Sequence, residues 1–172
     1  MGASILQDHP PVLPWYAKAR SLSALASGRV RDTLSRPIKG AVIEVWQSAP
    51  NGLYAQQDPM QKEWNLCGRF EAKRGRYSFI CVRPTAYPIP TDGPVGGLLA
   101  KLNRPATRPG HIHFRVSAPG FHTLTTQVYD SEKTIPDPVF AVKDKLQVLF
   151  EKNDGETEWR FRFNITLERI PQ

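Results

Sequence analysis

Apolar and polar residues alternate along several short stretches of the chain, which is the pattern of strands with one buried face. The stretches that predict strands are 28–32, 41–46, 75–80, 111–116, 124–129 and 158–165. In the third stretch, Tyr77 and Phe79 share a face and are expected to point into the core. Proline and glycine turns separate the stretches, so the sequence predicts an all-β fold, a β-sandwich of mostly antiparallel strands. We expect 28–32 and 41–46 to form a hairpin-like pair.

Residues 83–110 depart from this alternation. They contain repeated prolines and a Gly96-Gly97 pair, so we expect one long irregular loop, because proline removes hydrogen-bond donors from a sheet. Long loops inside a compact domain are usually functional. The fold should contain at most one or two short helices, and one helix is predicted around 140–145.

The most informative local motif is His111-Ile112-His113. On a strand, His111 and His113 point the same way. Two neutral imidazoles on one face form half of a site for a transition metal such as iron, copper, zinc or nickel. The motif alone leaves a second interpretation open, because a histidine pair on a strand often serves only packing.

Two tyrosines lie in predicted loops, where packing does not explain them: Tyr54 and Tyr87. Tyr77 and Tyr129 occupy strand positions and are expected in the core. A phenol, with an ordinary pKa of about 10, loses its proton readily only beside a strong Lewis acid. A set of two tyrosines and two histidines therefore favours Fe(III) over zinc or copper. Spacing alone does not pair these tyrosines with the histidines.

Composition narrows the setting of this chemistry. The 172 residues, 40% of them hydrophobic, fit one globular domain. The net charge of +7 raises the possibility of a nucleic-acid partner. Lysines and arginines are scattered along the chain, however, which favours a solvated basic surface and no nucleic-acid partner. No apolar run is long enough for a membrane span, so no membrane association is expected. The chain has only two cysteines, Cys67 and Cys81, too few for a disulfide framework, so we expect the protein in the reducing cytoplasm.

Motifs distributed from about residue 28 to residue 167 match one enzyme family. The most specific are the loop that begins at Tyr87-Pro88 and the run Arg108-Pro109-x-His111-x-His113. The supporting motifs are Gly28-x-Val30-x-Asp32, Glu44-Val45-Trp46, Gly52-x-Tyr54, Gly68-Arg69-Phe70, Gly75-x-Tyr77-x-Phe79 and Thr126-Gln127. On these residues the chain resembles the intradiol ring-cleavage dioxygenases, in particular the branch that acts on catechol and hydroxyquinol.

The resemblance implies a mononuclear non-haem Fe(III) bound by Tyr54, Tyr87, His111 and His113. It places Tyr87 and His111 in axial positions and makes Tyr87 the acceptor of a substrate proton. The substrates would be O2 and a small aromatic diol, either catechol or hydroxyquinol-type. The products would be cis,cis-muconate or maleylacetate-type acids.

The resemblance also assigns roles outside the ligand set. Arg108 matches the arginine beside the attacked substrate carbon, with a salt bridge or a solvated turn as its alternative role. Gln127 matches a glutamine that hydrogen-bonds near the iron. Phe140 and Ala141 match positions that line the substrate ring, with simple packing as the alternative.

The sequence divides into an N-terminal extension, 1–27, and a catalytic sandwich domain, 28–172. Relatives carry a helical N-terminal segment that forms their dimer interface, and 1–27 is too short for that segment. A homodimer is therefore left open, as are a naturally short form, a truncation and an inactive member. The alternative from another functional class is a non-catalytic, transthyretin-like β-sandwich binding module that would bind no iron.

Overall fold

The computed structural model describes residues 20–139 and 142–171, and in them two five-stranded sheets enclose the core. The strands are β1 (Ser23–Asp32), β2 (Val42–Trp46), β3 (Cys67–Glu71), β4 (Arg76–Val82), β5 (Tyr87–Pro88), β6 (Thr107–Arg108), β7 (His111–Ser117), β8 (Leu124–Asp130), β9 (Gln147–Val148), β10 (Glu151–Lys152), β11 (Trp159–Arg162) and β12 (Ile165–Leu167). One α-helix, α1 (Pro94–Lys101), and two short 3-10 turns, Arg20–Leu22 and Asp144–Leu146, accompany them. The predicted all-β sandwich is confirmed.

The two sheets have different orders. The first runs β10-β11-β1-β12, with β4 also paired to β1, and the second runs β3-β2-β7-β8-β9. Strands β5 and β6 form a separate two-stranded ribbon. Most pairs are antiparallel, whereas β1 runs parallel to β11 and β12, and β8 runs parallel to β9. No helix in the described part of the chain is long and apolar enough to cross a membrane.

Aromatic rings join the two sheets in the core. Tyr77 and Phe79 of β4 are buried, as their alternation predicts. The ring of Phe79 lies 5.9 Å, between centroids, from that of Phe114 on β7 in the opposite sheet. Tyr129 on β8 is also fully buried, as expected. These contacts hold β7, which carries the two histidines, firmly against the first sheet.

The predicted hairpin of 28–32 with 41–46 is wrong. Strand β1 lies in the first sheet and β2 in the second, and the chain between them passes from one sheet to the other. After β1 the chain makes an isolated bridge between Arg31 and Pro37, and β2 pairs instead with β3 and β7. The alternation identifies a buried face on each strand but contains no information about which sheet that face covers.

The expectation of one irregular loop over 83–110 is also corrected. Helix α1 lies inside this region and begins at Pro94, where proline is tolerated because the first turn has unpaired N–H groups anyway. Leu99 is the buried apolar side chain of this helix. The helix predicted at 140–145 falls partly on residues 140 and 141, outside the described residues, and is followed by the 3-10 turn at 144–146.

Candidate metal centre

Two side-chain nitrogen atoms and two side-chain oxygen atoms lie close together where β2 ends and β7 begins. His111 and His113 share a face of β7, and their Nε2 atoms are 3.0 Å apart. The Oη atom of Tyr87 lies 3.4 Å from the first of these nitrogens, and the Oη atom of Tyr54 lies 3.4 Å from the second. The two phenol oxygens are 3.3 Å apart, so the four atoms form a closed ring.

Hydrogen bonding fixes the tautomer of one imidazole. The Nδ1 atom of His111 is 2.8 Å from the carbonyl oxygen of Pro109, which can only accept. Nδ1 therefore carries the proton, and Nε2 presents its lone pair to the ring of donor atoms. This is the arrangement typical of a metal-ligating histidine.

The two tyrosines reach the histidines because glycine permits close backbone approaches. Gly52 has φ of +85°, and a Cβ there would lie 3.2 Å from the Cβ atom of Tyr87. Tyr87 is held in β5, in register with Arg108 of β6. A Cβ at Gly110 would approach the backbone of Thr85 to 2.7 Å, so glycine lets the segment before Tyr87 lie directly on the start of β7.

Burial sets the charge of the donor groups. Desolvation lowers the pKa of His111 to about 4. Desolvation, followed by repulsion from His111, lowers the pKa of His113 to about 3. Both imidazoles are therefore neutral near pH 7. Burial, followed by the neighbouring Tyr87, raises the pKa of Tyr54, so this phenol keeps its proton unless a cation is bound.

The donor set fits an Fe(III) ion. Adjacent ligands at roughly 2.0–2.1 Å from one first-row metal are about 3 Å apart, close to the separations observed here. Two phenols supply the hard, anionic oxygens that a trivalent cation favours, and two imidazoles complete the set. In the described ranges, no group of three or more His, Cys, Asp or Glu side chains is placed to hold a metal. A site here therefore depends on the tyrosines.

Arg108 lies beside this ring of donors and forms the salt bridge expected as its alternative role. Its Nη1 atom is 3.2 Å from the Oη atom of Tyr87, and its Nη2 atom is 2.9 Å from a carboxylate oxygen of Asp137. The arginine side chain is only 11% exposed. A salt bridge thus holds the guanidinium in contact with the site.

Gln127 is in register with His113 on the neighbouring strand. Its amide Nε2 donates to the Oη atom of Tyr129, so it reaches the ligand set through that ring. The Tyr129 ring lies 5.6 Å, between centroids, from His111. Burial and the charge of Asp137 raise the pKa of Tyr129 to about 12. The two remaining candidates, Phe140 and Ala141, lie outside the described residues.

Three residues at the site were not identified from the sequence: Trp46, Tyr129 and Asp137. The Trp46 ring stacks on His113, with centroids 4.7 Å apart and planes 9° apart. It is the cross-strand partner of His113, so a correct register of β2 on β7 would have revealed it. Tyr129 was assigned to the core alone. Asp137 lies in an irregular segment, and no sequence motif points to it.

A cavity of about 500 Å³ opens beside the donor atoms. Its lining includes Tyr54, Tyr87 and Arg108 together with the apolar side chains of Leu53, Ile89 and Val139. Small-molecule sites have this size and this combination of apolar walls with a few polar groups. The cavity can therefore accept an aromatic ring while the donor atoms and the guanidinium bind its polar substituents.

Comparison with known proteins agrees with this geometry. A family model described as Dioxygenase matches residues 17–169. The chain is 45% identical to a catechol 1,2-dioxygenase of Candida albicans, over 96% of this chain and 56% of that protein. It is 44% identical to a hydroxyquinol 1,2-dioxygenase of a Rhizobium species, over 88% of this chain and 50% of that protein.

Solved structures show the same fold. A 3-chlorocatechol 1,2-dioxygenase from Rhodococcus opacus superposes with a TM-score of 0.87 at 26% identity, over 98% of this chain and 68% of that one. A hydroxyquinol 1,2-dioxygenase from Pseudomonas putida gives 0.81 at 35% identity, over 96% and 64%. The chain spans about half the length of the curated relatives it matches. On this similarity, the chain belongs to the intradiol ring-cleavage dioxygenase family.

Proposed function

We propose that this protein uses O2 to cleave the ring of catechol or a hydroxyquinol-type diol between its two hydroxyl-bearing carbons. Fe(III) would be held by Tyr54, Tyr87, His111 and His113. The observation that carries the proposal is the convergence of these four donor atoms, 3.0–3.4 Å apart, beside a cavity lined by the two tyrosines and Arg108.

The chemistry can be divided between the cofactor and the chain. Bound Fe(III) supplies Lewis acidity, which favours the deprotonated diol and makes its ring reactive toward O2. The two histidines are ready to bind because burial keeps them neutral. The apolar side chains of Leu53, Ile89 and Val139 line the cavity and would contact the ring.

Tyr87 and Arg108 would act on the substrate. The phenolic oxygen of Tyr87 accepts a proton from a diol hydroxyl, and Arg108 Nη1, 3.2 Å away, stabilises that oxygen beforehand while it is anionic. The fixed charge of the same guanidinium also stabilises negative charge that develops on the ring carbon under attack. Catechol would yield cis,cis-muconate, and hydroxyquinol would yield a maleylacetate-type product.

Relatives support the class of substrate. The similar proteins are named as dioxygenases of catechol, hydroxyquinol and chlorocatechol. This resemblance over nearly the entire chain does not favour the non-catalytic binding module. A cytoplasmic location and the absence of a nucleic-acid partner stay predictions, and a homodimer stays open. The division at residues 27 and 28 also stays a prediction, although β1 already begins at Ser23.

The test begins with the visible spectrum and iron content of the purified protein. We expect about one iron per chain and a broad tyrosinate band that shifts when catechol is added without oxygen. Admitting oxygen should then produce a ring-cleaved diacid, assayed over catechol, hydroxyquinol and chlorocatechols. A protein that stays colourless after reconstitution with iron would refute the proposed centre.

A further inference from the structure

A buried carboxylate lies behind Arg108. Asp137 belongs to the irregular segment after β8, and its side chain is completely buried. Its Oδ2 atom accepts from Arg108 Nη2 at 2.9 Å and from Arg108 Nε at 3.2 Å. A buried carboxylate is stable only when it is paired, and the guanidinium supplies that pairing.

This pairing orients the guanidinium. Because Nε and Nη2 lie on the same edge of the planar group, binding that edge to Asp137 directs Nη1 elsewhere. Nη1 lies 3.2 Å from the Oη atom of Tyr87, on the cavity side. The carboxylate thus determines which nitrogen faces the substrate. It also partly balances a positive charge that lies beside two buried imidazoles.

The same carboxylate connects two further parts of the site. Its Oδ2 atom accepts from the Oη atom of Tyr129, 3.2 Å away, and that oxygen accepts from the amide of Gln127. Its Oδ1 atom accepts from the backbone N–H of Val139 at 2.9 Å, and Val139 lines the cavity. One residue therefore links the arginine, the glutamine and a cavity wall.

We infer that Asp137 is a positioning residue, which holds the Arg108 guanidinium so that Nη1 faces Tyr87 and the substrate cavity. Its effect on turnover rests on the proposed function, whereas its effect on the orientation of Arg108 does not. The two can therefore be tested separately.

The orientation is tested in the purified full chain without added metal. In NMR spectra of 15N-arginine-labelled protein, Arg108 should give a slowly exchanging Nε–H signal, assigned by its absence in Arg108→Lys. Asp137→Asn should accelerate exchange of that signal at least about tenfold, because the charged acceptor of the N–H group is lost. Unchanged exchange would overturn the inference.

The consequence for catalysis is tested in the iron-loaded enzyme. Asp137→Asn should lower kcat by roughly 10- to 100-fold, the usual effect of residues that orient groups at a metal site. KM should change less than about threefold, since the loss concerns the transition state. The tyrosinate band should also shift, because the contact of Arg108 with Tyr87 changes.

A matched control separates positioning from stability. Asp32 is equally buried and is bonded to Arg36 at 2.8 Å, at a turn among residues that are not part of the site. Asp32→Asn should lower the melting temperature while leaving kcat and the band unchanged. If Asp137→Asn behaves like this control, its role is structural only and the inference fails.

A double variant decides whether Asp137 acts through the arginine. In an Arg108→Lys background, adding Asp137→Asn should change kcat less than about threefold, because the two losses are one interaction. Full additivity would overturn the inference. If wild-type protein cleaves no diol but the NMR signal still depends on Asp137, the proposed function fails and the positioning of Arg108 stands.

Discussion

Each donor side chain at the centre is held by a different kind of contact. His113 is stacked on Trp46, whereas His111 is fixed by its hydrogen bond to the Pro109 carbonyl. Tyr87 receives a hydrogen bond from Arg108, and Tyr54 follows the glycine turn at Gly52. Because none of these supports is shared by all four side chains, a single ligand can be removed without dismantling the others.

Removing one ligand should therefore abolish tight iron binding while the fold persists. We expect Tyr54→Phe and His113→Ala to bind well under one iron per chain and to lose or shift the visible band. Their circular dichroism should match the wild type. The control is Tyr77→Phe, a buried tyrosine that donates to the Phe163 carbonyl at 2.5 Å and lies outside the donor ring. It should keep its iron and lose about 1 kcal/mol of stability. Full iron retention in either ligand variant would refute its assignment.

The depressed pKa values of the histidines predict an acid-sensitive metal-free protein. In the unfolded chain, histidine takes up a proton below about pH 6.5, whereas His111 and His113 resist protonation down to about 4 and 3. The unfolded state thus binds more protons in this window, so the free energy of unfolding falls as pH decreases from 6.5 to about 4. Summed over the two histidines, we expect a loss on the order of 5 kcal/mol, measured by urea unfolding. A His113→Phe variant should show a shallower slope, and an equal slope would contradict the assignment.

Helix α1 provides a matched pair of glycines. A Cβ at Gly96 would lie 2.4 Å from backbone atoms of Thr91, whereas a Cβ at Gly97 meets nothing within 4 Å. Gly97→Ala should stabilise the protein by about 0.5–1 kcal/mol through helix propensity. Gly96→Ala should destabilise it, because the helix must move away from Thr91, which lines the cavity. Urea unfolding of both variants checks the sign, and equal effects would contradict this packing.

Local patterns predicted the elements better than their partners. Alternation in 111–116 located β7 almost fully, because Ile112, Phe114 and Val116 form its buried face. The stretch 124–129 located β8 to within one residue, although the last three residues of that strand are all buried. The same alternation could not distinguish the sheets of β1 and β2. The sequence prediction omits helix α1 because it considers proline only as a residue that removes hydrogen-bond donors from a sheet, although Pro94 occupies a helix N-terminus. At the site, the motifs identified the residues that carry the four donor atoms. The contact of Asp137 with Arg108 joins residues 29 positions apart in the chain, and no local sequence pattern predicts such a contact.

At the scale of both sheets, Arg83 forms a buried connection. It follows β4 of the first sheet, and its Nε atom lies 2.6 Å from Asp130 at the end of β8 in the second sheet. The guanidinium also lies 4.0 Å from the ring centroid of Trp159. Arginine and aspartate are 4% and 1% exposed, so their separation would leave a charge in the interior.

Breaking this pair should destabilise the fold without touching the ligands. We expect Arg83→Met to cost about 3–5 kcal/mol, because Asp130 stays buried without its partner. The surface pair of Arg160 with Glu151, 57% and 55% exposed, offers the comparison. Arg160→Met should cost less than about 1 kcal/mol. Urea unfolding measures the free energy of unfolding of both variants. Similar losses would show that the buried pair contributes no more to stability than the surface pair does.

The spacing of the donor residues along the chain has a consequence for cohesion. Tyr54 is 33 residues from Tyr87 and 59 from His113. Residues 47–66, which contain Tyr54, form turns but no strand or helix. An ion bound by all four side chains would act as a non-covalent cross-link, closing long loops and restricting the unfolded chain much as a disulfide does. The catalytic centre would then also fix the irregular segment 47–66 to the sheets of the sandwich.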